Sequence, residues 1–69
     1  MFIVNIVVNG EPKVVSQSAT ITTLLNQLNL AGKHVAVEVN LELVPHHCHQ
    51  DRCLADGDRL EIVTLVGGG

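Results

Sequence analysis

The 69-residue sequence predicts an α+β fold of two layers, a mixed sheet of four to five strands covered by one helix. Three observations carry that reading. Aliphatic residues alternate with period two in residues 2–8, 35–39 and 60–66, the pattern of strands. One stretch alone has helical spacing, with Ile21, Leu24, Leu25 and Leu28 at i, i+3, i+4 and i+7. Asn9-Gly10 lies between two strand-like runs, where both residues tolerate the positive φ of a two-residue hairpin. Hydrophobic residues make up 46% and charged residues 16%, which excludes the composition of a disordered chain.

The first strand, Phe2 to Val8, puts Phe2, Val4, Ile6 and Val8 on one face and Ile3, Asn5 and Val7 on the other. A second face this apolar suits a place inside the sheet. After the Asn9-Gly10 turn, Glu11 to Val15 returns, and Pro12 confines that strand to an edge because it has no N–H to donate. Ser16 to Ala19 is a polar connection, and Thr20 caps the helix. Thr22 and Thr23 are poor helix formers, so packing holds the helix, and Gly32 is placed to end it. Val35, Val37 and Val39 form a third strand, a bend near Asn40 follows, and Glu42 to Val44 is a short strand stopped by Pro45. His46 to Ala55 is irregular, Asp56-Gly57-Asp58 is a turn, and Leu60 to Val66 is the last strand. Val63 and Leu65 make its second side apolar as well, so both faces are expected to be covered over part of its length.

The helix after the hairpin is the crossover that lets a later strand run parallel to the first. The first and last strands are the most apolar and belong together at the sheet centre. That arrangement is the β-grasp, or ubiquitin-like, architecture, one domain over residues 1–66 with a flexible glycine tail at 67–69.

Four Lys/Arg against seven Asp/Glu give a net charge of −3, and Phe2 is the one aromatic residue. Neither phosphate contacts nor base stacking are served by this chain, so nucleic acid is excluded as a partner. No apolar run approaches the ~20 residues that span a bilayer, and no signal peptide opens the chain. Two cysteines, Cys48 and Cys53, read as free thiols in a reducing cytoplasm.

The run Ala55-Asp56-Gly57-Asp58-Arg59-Leu60-Glu61-Ile62-Val63-Thr64-Leu65-Val66-Gly67-Gly68-Gly69 resembles the end of the ThiS family, the thiamine-pathway sulfur carriers. The Asn9-Gly10-Glu11 hairpin, Thr20 ahead of Leu24-Leu25, and the Val39-Asn40…Val44-Pro45 stretch are similar to that family too, so the resemblance covers the whole chain. It implies that the Gly69 carboxylate is adenylated by a ThiF-type enzyme using ATP. It also implies conversion to a thiocarboxylate that supplies sulfur to a ThiG-type thiazole synthase, with no cofactor held by the carrier itself. Sister carriers are the small subunit of molybdopterin synthase and the carriers of tRNA thiolation or cysteine synthesis, and these pathways stay open as alternatives.

The tail suits that chemistry on physical grounds. A carboxylate is a poor electrophile until one oxygen becomes part of a leaving group, so it must reach an enzyme's active site. Gly67 and Gly68 lack Cβ and thread narrow channels, and three extended residues project about 10 Å. Leu65 and Val66, just ahead of them, are either partner contacts or side chains buried by the sheet.

Residues 46–53 depart from the family pattern, which has a basic residue after Val-Pro. His46, His47, Cys48, His49 and Cys53 are all possible donors to zinc or copper, which makes a metal-binding module the rival of another class. Their spacing matches no established zinc module, so no metal site is assigned and the expectation is an exposed loop with one or two buried side chains. His34 has no partner nearby in sequence. No catalytic triad or phosphate-cradling glycine loop occurs, so the chain reads as a carrier that enzymes act on.

Overall fold

The computed structural model describes residues 2–65. Five strands and one helix follow in the order β1 (Ile3–Val8), β2 (Glu11–Ser16), α1 (Ile21–Gln27), β3 (Val35–Val39), β4 (Glu42–Val44) and β5 (Arg59–Thr64). A single 3₁₀ turn, His46–Cys48, lies between β4 and β5. The sheet order is β2-β1-β5-β3-β4, so the β-grasp arrangement holds, with β1 and β5 adjacent and parallel. Pro12 sits on edge strand β2, where a missing N–H costs the ladder least.

Alternation decides what is inside. Val4, Ile6 and Val8 of β1, Leu60 and Ile62 of β5, and Val37 and Val39 of β3 are buried with Ile21, Leu24 and Leu25 of α1 in one aliphatic core. The opposite face of the sheet has no helix over it. Val63 is exposed there, and Leu65 beyond the strand is exposed too, which corrects the expectation that β5 is covered on both sides: the one helix among the described residues packs on the other face. Phe2 is also exposed. It precedes the first register pair, Ile3 with Ser16, so strand alternation no longer dictates its side.

Helix α1 begins as the sequence predicts and ends earlier. Thr20 accepts from the Thr23 N–H at 3.2 Å while Thr23 Oγ1 accepts from the Thr20 N–H at 3.2 Å, a reciprocal capping box that gives Thr23 its purpose. The terminator is Asn29 at φ 60°, not Gly32. The Leu30 N–H reaches the Leu25 carbonyl at 2.8 Å and the Asn29 N–H reaches Asn26 at 3.1 Å, the two bonds of a Schellman motif. Gly32, at φ 80°, serves the next turn, which the Lys33 N–H closes onto the Leu30 carbonyl at 3.1 Å.

Asn9 does more than turn the chain. With φ of 51° and 84°, Asn9 and Gly10 form the expected tight hairpin between Val8 and Glu11. The Asn9 side chain then accepts from the Ile62 N–H at 2.7 Å and donates to the Ile62 carbonyl at 3.1 Å. An amide side chain thus stands in for backbone and lengthens a parallel pairing whose own register covers only Val7–Arg59 and Val8–Leu60.

The bend near Asn40 is a second tight hairpin, with φ of 52° at Asn40 and 72° at Leu41 between the paired Val39 and Glu42. Leucine is a poor occupant of that left-handed region, and its side chain here is 89% exposed. Asn40 holds the tip in place: its Oδ1 accepts from the Arg59 N–H at 3.0 Å and its Nδ2 donates to Asp58 Oδ1 at 2.9 Å. Leu41→Gly is expected to stabilise the chain by about 1 kcal/mol in urea unfolding, and a loss of stability would show the residue unstrained.

Candidate functional site

The sequence places the reacting group at Gly69, with Gly67 and Gly68 as the threading segment and Val66 beside them; all four lie outside the described residues. The structure shows what launches them. Strand β5 runs through the middle of the sheet, and Leu65 follows it, tied to β3's approach by the Leu65 N–H on the His34 carbonyl at 2.8 Å. His34 therefore contributes backbone at the root of the tail. Leu65 is 56% exposed, so its side chain is not buried by the sheet. The start of β5 is equally well held. The turn before it is pinned by Asp58, whose Oδ2 accepts from the Ala55 N–H at 2.8 Å, and by Asp56, whose Oδ1 accepts from the Asn5 N–H at 2.7 Å. These aspartates do the work of a turn and form no acid–base pair.

The His/Cys segment has a structural use that spacing alone does not reveal. Carbonyls of His49 and Arg52 accept from the N–H groups of Thr22 (3.3 Å) and Ile21 (3.1 Å), and the Leu54 N–H donates to Ala19 at 2.9 Å. The segment thus satisfies the first N–H groups of α1, which have no partner within the helix. His49 is buried, and its Nε2 donates to the Val44 carbonyl at 3.0 Å. A carbonyl only accepts, so Nε2 donates a proton there, while the buried Nδ1 has no partner. His46 meets His49 edge-on at 5.3 Å between ring centres, His46 and His47 are exposed, and both thiols are free. Among the described residues no three of His, Cys, Asp and Glu come together in a way that could hold a metal ion.

A cleft of about 400 Å³ lies between the segment after α1 and the 3₁₀ turn, lined by Leu25, Lys33, His46, His47 and His49 among others. An adjoining hollow shares Lys33, Val35 and His46 with it and is also lined by Leu65. No described helix is long and apolar enough to cross a membrane.

Comparison with known proteins agrees with this geometry. The crystal structure of a thiamine biosynthesis protein (ThiS) from Geobacter metallireducens superposes with a TM-score of 0.78 at 35% identity, covering 94% of this chain and 99% of that one. An uncharacterized protein, ycf40, of Pyropia yezoensis is 41% identical over 66 residues, covering 96% of this chain and 93% of its own. A protein named thiazole synthase from Paramagnetospirillum magneticum is 45% identical over 64 residues, which are 93% of this chain and 20% of that protein. The chain therefore spans about a fifth of the length of the thiazole synthases it matches. The ThiS family model matches residues 3–69, from the first strand through the last glycine, and the chain belongs to the ThiS family.

Proposed function

We propose that this chain is a sulfur carrier for thiazole formation in the thiamine pathway, and that its Gly69 carboxylate is the group that carries the sulfur. The observation that supports this most is a family match running through Gly67-Gly68-Gly69, directly after a strand anchored at the sheet centre. The thiazole synthase of Paramagnetospirillum magneticum, in which a similar stretch is a fifth of the protein, favours the thiazole route over other sulfur pathways.

The chain's part in the chemistry is to present an end. A Gly69 carboxylate oxygen attacks the α-phosphorus of ATP held by a ThiF-type enzyme, and pyrophosphate leaves. Sulfur at the level of hydrosulfide then attacks the acyl carbon, AMP leaves with the bridging oxygen, the proton passes to solvent, and a thiocarboxylate remains. A ThiG-type thiazole synthase takes that sulfur. Every catalytic group belongs to the partners, and ATP is theirs to bind. The carrier supplies a rigid body, an end slim enough to thread, and a cytoplasmic pool of activated sulfur.

Intact mass spectrometry after incubation with a ThiF-type enzyme, ATP and a sulfur donor tests the proposal. The expected result is the mass difference between sulfur and oxygen, mapped to Gly69 by fragmentation and lost when ATP is omitted. Mapping matters because oxidation of Met1, Cys48 or Cys53 adds nearly the same mass. If Gly69 never changes in the presence of all components, the chain is not such a carrier.

A further inference from the structure

The 3₁₀ turn brings two histidines together. Side chains at i and i+3 eclipse in a 3₁₀ turn, and the His49 N–H closes this one onto the His46 carbonyl at 3.0 Å. His46 and His49 therefore stack on one side of it, with 5.3 Å between ring centres, and both line the cleft beside α1. His49 is 3% exposed, and its Nε2 is committed to the Val44 carbonyl, which lies outside that wall. In the neutral ring this leaves the lone pair on Nδ1, the buried nitrogen without a hydrogen-bond partner. An imidazole that donates one N–H to a backbone carbonyl and keeps its other nitrogen free is arranged as metal-ligating histidines are.

We propose that His46 and His49 bind a divalent ion of the zinc class, through Nδ1 of His49 and one ring nitrogen of His46, with water or a small anion completing the tetrahedron. The ring spacing selects that geometry. With about 2.05 Å from ion to nitrogen and about 1.15 Å from nitrogen to ring centre, a linear pair sets its centres about 6.4 Å apart and a tetrahedral pair about 5.2 Å. The observed separation is 5.3 Å. His46 is exposed, and turning its ring about χ2 brings a nitrogen toward the ion while the ring centre stays in place. Burial already fixes the His49 ring, so little freedom is lost when it binds. Two protein ligands are fewer than a closed zinc site has, which agrees with the lack of any three-donor cluster among the described residues. Cys48 is not a third donor, since it lines a different hollow with Leu43, Pro45 and Arg52. Lys33 lines the cleft as well, and its charge favours an anion in one of the open positions. Neither the tail nor a partner enzyme enters this inference, so it stands or falls apart from the carrier reading.

Zinc titration of the whole chain, followed by the imidazole ¹⁵N signals and by calorimetry, tests the site. The parent, His46→Ala, His47→Ala, Cys48→Ser and Cys53→Ser are compared, and His49 is kept because its segment also supports α1. The expected result is saturation at one ion per chain below about 100 µM zinc, with His49 Nδ1 and one His46 nitrogen shifting together. His46→Ala is expected to weaken binding at least about tenfold, with the other three variants within about twofold of the parent. Zinc should also raise the melting temperature of the parent and not of His46→Ala. Saturation only at millimolar zinc, an unmoved His49 Nδ1, an equal loss in His47→Ala, or binding that disappears with either cysteine overturns the proposal.

Discussion

A chain lacking Gly69 is expected to fold as the parent does and to lose more than about a thousandfold of its adenylation rate. Among the described residues the hydrogen bonding of the body ends at the Leu65 N–H on His34, and the core and the sheet register there are built from residues 3–64. The deletion nevertheless moves the carboxylate back by one residue, about 3.3–3.6 Å. Misplacement of a reacting atom by about 1 Å already costs roughly a hundredfold. Circular dichroism and melting should be unchanged while pyrophosphate exchange and the sulfur-for-oxygen mass change vanish. Exchange within about tenfold of the parent would mean that the enzyme does not measure the length of the tail.

Leu24→Ala is expected to leave most of the chain unfolded at 25 °C. Leu24 is fully buried at the middle of α1, between Ile21 and Leu25 in the same core. Truncating a buried leucine loses transfer energy and leaves a cavity, together about 3–5 kcal/mol. A single core in a domain of this size supplies only about 3–5 kcal/mol in total, so the loss consumes the whole margin. The chain has no disulfide among its described residues to offset it, since both cysteines are free thiols. Leu28, half-buried at the helix C-cap, should cost markedly less when truncated. Urea unfolding checks both, and a cooperative transition for Leu24→Ala within about 1 kcal/mol of the parent would show that the core collapses around the gap.

These effects reflect what a one-dimensional pattern can and cannot convey. Strand alternation and the spacing of Ile21, Leu24, Leu25 and Leu28 are local, and they led to the sheet, the helix and the central place of β1 and β5. The Asn9-Gly10 turn was legible because its conformation needs those residue types. A bend near Asn40 was legible, but its tight two-residue form was not, because Leu41 adopts positive φ against the preference of leucine. The end of α1 was misplaced because two residues compatible with positive φ, Asn29 and Gly32, follow the helix, and only packing of Leu30 chooses the first. The glycine tail was readable because its chemistry resides in the residue types themselves. That His49 is the buried histidine was not, since its burial follows from how the loop meets α1 and β4.

The Asn9–Ile62 link also says how this chain assembles in time. It joins positions 53 apart, whereas β1–β2 and β3–β4 are hairpins closed by two residues each. Closing a loop of that length costs about 3.5 kcal/mol of chain entropy before any contact across it is rewarded. The two hairpins therefore form first and cheaply, and the seam between β1 and β5 is the late, rate-limiting event. Loosening that seam therefore slows folding more than it hastens unfolding. The strand that launches the reactive end is thus the last to be fixed in place.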